Sequence, residues 1–186
     1  MLGERFAVAL KDAQGGDQAA FALLFRDLQP AVVRYLRVVA TAAAEDLAAE
    51  TWLEVVRGFR RFSGDEAGFR SWVLTIARRR HIDRLRALSR RAPEVTYVES
   101  LETVGRIDDA AIAVEENLST EATLRLIATL PPAQAEVVTL RVVAGLSATA
   151  VAEIVGRRPG SVRILAHRGL RRLAEHVTAR PGAVEA

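Results

Sequence analysis

The chain has 186 residues, half of them hydrophobic, with a formal net charge of +3 and no cysteine. That length suits one ordinary domain or two small ones with modest cores, and the missing cysteines exclude disulfides, thiolate metal sites and a thiol switch. No apolar run approaches the roughly 20 residues of a membrane span, and the start, MLGERFAVALKDAQGGDQ, has acids where a secretory signal is apolar, so the reading is a cytoplasmic protein without membrane insertion.

Charge is strongly segregated along the chain. By count the net is −3 over 1–56, +8 over 57–91, −7 over 92–121, zero over 122–156, +6 over 157–180 and −1 over 181–186. Two basic blocks therefore flank an acidic one. Arginine supplies nearly all the basic charge, which suits bidentate phosphate and base-edge contacts and equally fits a GC-rich genome. The clustering has no such compositional explanation.

In chain order, Asp17 is a predicted N-cap for QAAFALLFRDL, and Gln29-Pro30 is expected to break that helix so that AVVRYLRVVA starts a second. AAAEDLAAETWLEVVRGF reads as the next helix, with Leu47, Trp52, Val55 and Val56 on a buried side and Glu45, Asp46 and Glu50 in water. FSGDEAG, holding Gly64 and Gly68, reads as a short loop, after which the longest helix runs from Phe69 to Arg91. That helix begins oily, at SWVLTIA, and ends densely basic, at RRRHIDRLRALSRR. At about 100° per residue, Arg79, Arg86 and Arg90 share a wedge of roughly 40° with Trp72.

The pattern weakens from Ala92 to about Asn117, where acids accumulate, and a linker with a short helix around Asp109–Glu116 is expected. TEATLRLIATL then reads as a helix ending before Pro131-Pro132, followed by AQAEVVTLRVVAGL, which ends at Gly145. Ser147 is a predicted cap for ATAVAEIV, Gly156-Arg157-Arg158 a tight turn, and Pro159 the opening of a helix to about Val177. Ala152, Gly156, Val151, Val155 and Val162 hold the places that a helix-turn-helix needs for its crossing, its turn and its buried sides. Beside a run of arginines this spacing points to DNA binding.

Catalysis needs converging polar groups, and the candidates do not converge. His81, His167 and His176 stand singly among arginines, without metal-type pairing. Asp65-Glu66, Asp108-Asp109 and Glu115-Glu116 fall in loop or linker and read as solvated patches, and there is no phosphate-cradling glycine loop and no Gly-x-Ser-x-Gly. No enzyme, no metal and no cofactor is expected.

The blocks AEDLAAETWLEVVRGFRRF, FRSWVLTIARRRHIDRLR and LPPAQAEVVTLRVVAGLSATAVAEIVGRRPGSVRILAHRGLRRL stand in this order around the acidic segment. Together they resemble the extracytoplasmic-function (ECF) sigma factors of RNA polymerase over well over half the chain. The resemblance implies an all-α fold of two small helical domains: a region 2 bundle over 1–91, an acidic linker over 92–118, a region 4 helix-turn-helix over 119–178 and a short tail over 179–186. It also implies promoter-specific initiation, through recognition of the −10 and −35 elements and melting of the −10 element.

By the same resemblance, Phe62, Ser63, Gly64, Asp65 and Phe69 with Trp72, Arg79, Arg80 and Arg86 engage the −10 element, core packing being an equal alternative for Trp72. AEDLAAE resembles the helix that docks on a coiled coil of the polymerase's largest subunit, through Asp46 and Glu50, one turn apart on one face. Ala49 stands where the family usually has glutamine, which shifts docking toward Leu47, Thr51 and Val56. For the −35 element, Arg168 and His167 are the base-contact candidates and Ile164 shares their outward face. Arg163, Arg171 and the helix N-terminus at Gly160-Ser161 are candidates for phosphates. Arg79 and Leu165 depart from the family pattern, which often has asparagine at the first position and a basic residue at the second. The implied partners are core RNA polymerase, at its largest-subunit coiled coil and flap, promoter DNA, and an anti-sigma factor. A two-domain helix-turn-helix regulator acting without polymerase is the alternative, and it leaves AEDLAAE and the FSGDEAGFRSW loop unexplained.

Overall fold

A computed structural model describes residues 1–91 and 115–178. The expected linker up to residue 114, with most of the short helix predicted near Asp109–Glu116, and the tail 179–186 lie outside the described residues. Among the described residues every regular element is a helix, and the chain divides into two compact units, Met1–Thr96 and Tyr97–Ala186.

The first unit opens with a helix that the sequence reading did not assign, α1, Arg5–Gln14. Its Phe6, Ala9, Leu10 and Ala13 recur at helical spacing and are all buried, so the stripe was present in the letters. Asp17 then caps α2, Gln18–Ala40, its carboxylate accepting from the backbone N–H of Ala19 at 2.7 Å and of Ala20 at 3.2 Å. The expected break at Pro30 does not occur: α2 continues through it. A proline inside a helix forfeits one backbone hydrogen bond and crowds the preceding turn. Here Pro30 sits on the exposed side, while Leu24, Leu28, Ala31, Val32, Tyr35 and Leu36 form one buried stripe on both sides of it. Burial of that stripe outweighs the local cost.

A single 3₁₀ turn leads into α3, Ala44–Gly58, and another, Phe59–Arg61, leads out of it. α4, Glu66–Arg91, starts three residues earlier than expected because Asp65 supplies the cap, accepting from the N–H of Gly68 at 2.7 Å. Only its first half is packed: Phe69, Val73, Leu74, Ile76 and Ala77 are buried, and no residue from Asp83 to Arg90 is.

The second unit holds α5, Glu115–Ala128, α6, Pro132–Val138, α7, Ala148–Val155, and α8, Pro159–Thr178. The single helix expected to end at Gly145 is instead α6 followed by a π-helical turn over Thr139–Val143. In it the Thr139 hydroxyl donates to the carbonyl of Ala135 at 2.8 Å, and Leu140 is fully buried. Ser147 caps α7 through Ala150 N–H at 3.1 Å, and Gly156 ends it with φ +67°, a left-handed conformation that glycine adopts without penalty. Val151, Ala152, Val155 and Val162 are all buried, as the helix-turn-helix spacing requires.

One contact sets how deeply α8 sits. Gly169 is packed so tightly that an added Cβ would meet Val138 Cγ2 at 2.7 Å and Leu130 Cδ1 at 3.4 Å. Overpacking of this kind outweighs the roughly 1 kcal/mol that alanine gains over glycine in a helix. Gly169→Ala is therefore expected to destabilise the second unit by about 1–2 kcal/mol net, read as a shift in its urea midpoint.

Candidate nucleic-acid interface

In the first unit the candidate surface is built on a cluster of rings. Phe69, 2% exposed, packs against Phe6 at 5.7 Å between centroids, Phe59 at 6.2 Å, Phe62 at 5.3 Å and Trp72 at 5.9 Å. It is therefore a core residue, and the expectation that it touches DNA directly is corrected. Phe62 is half-buried and stacks on Trp72 at 5.1 Å with an interplanar angle of 26°. Ser63, Gly64 and Asp65 are exposed at the loop tip, with Gly64 at φ +152°.

Trp72, held open above between base contact and core packing, is half-buried. Its ring lies across Gly58, where a Cβ would come within 2.9 Å of the indole, so one side is committed to packing. The indole also lines a groove of about 560 Å³ between α3 and α4, together with Thr75, Arg57, Arg79 and Arg80. A carboxylate lies in the same groove: Glu54 is ion-paired with both Arg79 and Arg80. Arg80 Nε is buried without a hydrogen-bond partner. Arg86 and Arg90 are exposed farther along α4, Arg86 standing 3.5 Å from Asp83. The arginine ridge is thus in place, with its first member held by Glu54.

On α3 the candidate docking face needs correction. Leu47 is 1% exposed and Thr51 fully buried, the Thr51 hydroxyl donating to the Leu47 carbonyl at 2.6 Å, so neither side chain is available to a partner. Asp46, Ala49 and Glu50 are exposed. Val56, expected on the buried side as well as at the docking site, is 55% exposed, and Leu53, which sequence reasoning missed, is 60% exposed. Leu53 lies one turn beyond Ala49, so the spacing that singled out Asp46 and Glu50 also reaches it. The face therefore combines two acids with two uncovered aliphatic side chains.

In the second unit every residue assigned to −35 contact is exposed: Gly160 and Ser161 in the first turn of α8, then Arg163, Ile164, His167, Arg168 and Arg171. The last five line one concavity of about 630 Å³, bounded by Gln134 of α6 and by Arg172, whose guanidinium donates to the Gln134 amide oxygen at 3.4 Å. Sequence reasoning missed Gln134 and Arg172, because neither helix alone shows that they meet. On the same helix Ala166 and Leu173 are half-buried. The result is a helix face dense in guanidinium groups, a residue type suited to phosphates and guanine edges. Among the described residues no group of acids and histidines is placed to hold a metal ion, and no helix is long and apolar enough to cross a membrane.

Comparison with known proteins agrees with this geometry. Residues 24–91 match the family Sigma-70 region 2, and residues 120–173 match Sigma-70, region 4. The ECF RNA polymerase sigma factor BldN of Streptomyces coelicolor is 36% identical over 172 residues, which cover 91% of this chain and 65% of BldN. The chain thus spans about two thirds of that relative's length. The ECF RNA polymerase sigma factor SigD of Mycobacterium tuberculosis is 33% identical over 187 residues, covering 96% of this chain and 87% of SigD. The sigma factor RpoE of Bartonella quintana, solved with the anti-sigma factor NepR, shares the fold at a TM-score of 0.66 and 21% identity, over 87% of this chain and 98% of that one.

The Glu54 pairing generates a prediction. Glu54→Gln releases two guanidinium groups into the groove, so binding of a single-stranded oligonucleotide is expected to tighten about threefold to tenfold at low salt and to weaken more steeply as salt is added. Fluorescence anisotropy across a salt series checks both.

Proposed function

The chain belongs to the ECF sigma factors of RNA polymerase, and we propose that it loads onto core polymerase, directs it to promoters through its two units, and opens the −10 element. The observation that carries this reading is the pairing of two different nucleic-acid surfaces in one chain: an aromatic and arginine-lined groove in the first unit and an arginine-fronted helix-turn-helix in the second. A groove with an indole ring beside guanidinium groups suits unstacked bases, whose capture offsets the few kcal/mol that unpairing costs. A helix presenting Arg168 and His167 forward suits a major groove in duplex form. The first unit is accordingly assigned to the −10 element and the second to the −35 element. No step in this reading makes or breaks a covalent bond within the chain, so it is assigned no catalysis.

Docking is assigned to the exposed face of α3. Asp46 and Glu50 supply charge for a basic partner surface, and Leu53 and Val56 supply the apolar area that gives an interface its affinity. The partner assigned to it is the coiled coil of the polymerase's largest subunit. An anti-sigma protein that covers the same leucine and valine would hold the chain inactive. The site of action is the cytoplasm, where the polymerase works.

Run-off transcription with purified core polymerase and a pool of GC-rich promoters, with and without the chain, tests the reading. Specific start sites that appear only with the chain are the expected outcome. Core binding without new starts would replace it with a decoy that occupies polymerase, and no core binding would leave an operator-binding regulator. Two variants refine the assignment. Glu50→Lys reverses a docking charge and is expected to lower output about tenfold by weakening core binding. Arg168→Ala is expected to lose about 1–3 kcal/mol of discrimination at one position of the −35 element, read by competing promoters that differ there.

A further inference from the structure

Helix α1 lies ahead of the residues that match the family pattern, which begin at 24. It is nevertheless fastened to the loop that the family resemblance assigns to the −10 element. Gln14 is the last residue of α1, and its side-chain Nε2 donates to the carbonyl of Phe59 at 3.0 Å and to that of Phe62 at 2.8 Å. These are the carbonyls on either side of the 3₁₀ turn that delivers the chain into the loop. Phe59 O already accepts from Phe62 N–H at 3.1 Å. Phe62 has left helical geometry, with ψ 134°, so its carbonyl has no place in a helical ladder, and Gln14 is the donor that meets it.

The other end of α1 is fastened to the far side of the same loop. The Glu66 carboxylate, in the first turn of α4, accepts from the backbone N–H of Leu2 at 2.7 Å and of Gly3 at 3.0 Å. Phe6 joins these two ends by packing on Phe69. α1 thus braces the loop at its entry through Gln14 and at its exit through Glu66. Between Phe62 and the Asp65 cap only Ser63 and Gly64 remain. A loop this short follows its two anchors, and a ring that is to stack on a base must be held in place before the base arrives.

We infer that Gln14 is a positioning residue for −10 recognition: by holding the Phe59 and Phe62 carbonyls it sets the orientation of the Phe62 ring and of the exposed Ser63-Gly64 tip. The inference rests on the assignment of this loop to the −10 element. Gln14 itself touches no base. Its amide is the part that matters, because a donor pair is required and neither a carboxylate nor a methyl group supplies one.

The test uses the full chain loaded on core RNA polymerase and a pool of single-stranded oligonucleotides randomised at the −10 positions, with enrichment read by sequencing. Gln14→Ala is expected to reduce enrichment of the preferred sequence about tenfold. Gln14→Glu, which sets an anion against two carbonyl oxygens, is expected to reduce it at least as much, with core binding retained in both. Asp17→Ala is the control for stability alone: it removes the α2 cap in the same unit without touching the loop, and its enrichment is expected to match the wild-type chain. Unchanged enrichment in both Gln14 variants, or an equal loss in Asp17→Ala, overturns the inference and leaves the loop as the reader. A wild-type chain that enriches no sequence overturns the assignment of the loop, and the inference with it.

Discussion

Phe69 occupies the point in the first unit where four separate stretches of chain meet. Rings from α1, from the turn after α3, from the loop and from the next turn of α4 all lie within 6.2 Å of its own. Aromatic side chains bury more area per residue than any others and prefer tilted or edge-on neighbours, so a cluster of this kind specifies angles as well as proximity. The half-buried part of the cluster, Phe62 on Trp72, keeps its geometry only because the buried part is fixed. Gly58 and Gly64 belong to the same constraint. One lets the indole lie against a helix, and the other lets the chain turn beside the Phe62 ring.

Electrostatics divides the two surfaces by how each keeps its arginines in the absence of nucleic acid. In the first unit Arg79 and Arg80 are compensated by Glu54, so a phosphate must displace a carboxylate before it gains their charge. In the second, Arg163 and Arg168 stand exposed on α8, and the ion pair of Arg171 with Glu175, at 3.4 Å, is a solvent-exposed i,i+4 contact of small energetic weight. The second surface is therefore suited to early, charge-driven encounter with duplex DNA, and the first to a later and more selective event. That order fits recognition followed by opening.

How much of this was legible in the letters depends on whether a feature is local. The Asp17 and Ser147 caps, the Gly156 turn and the buried side of the helix-turn-helix are all written within a few residues, and the structure has them where the spacing put them. Pro30 misled because local chemistry favours a break there, whereas the apolar stripe continuing past it is a longer-range term and prevails. Leu47 was read as buried from its periodicity and yet, with Thr51, as a docking contact on family pattern; the helix buries both, one turn apart on the same face. Helix α1 was overlooked although its stripe is local, whereas Gln14 and Glu54 were missed for the opposite reason. Their roles consist of contacts with residues tens of positions away, and no window of sequence displays those.

The way α8 is mounted bears on how such a chain can change over generations. It is held mainly by Val162 in the core and by the close approach of Gly169 to Val138. Arg163, Ile164, His167 and Arg168 face away from that seat and bury little against the unit. Substitutions at exposed positions of this kind usually alter stability by no more than about 0.5 kcal/mol. That exposed surface can therefore be rewritten while the mount stays intact, so a duplicated copy can diverge there without passing through an unfolded intermediate sequence.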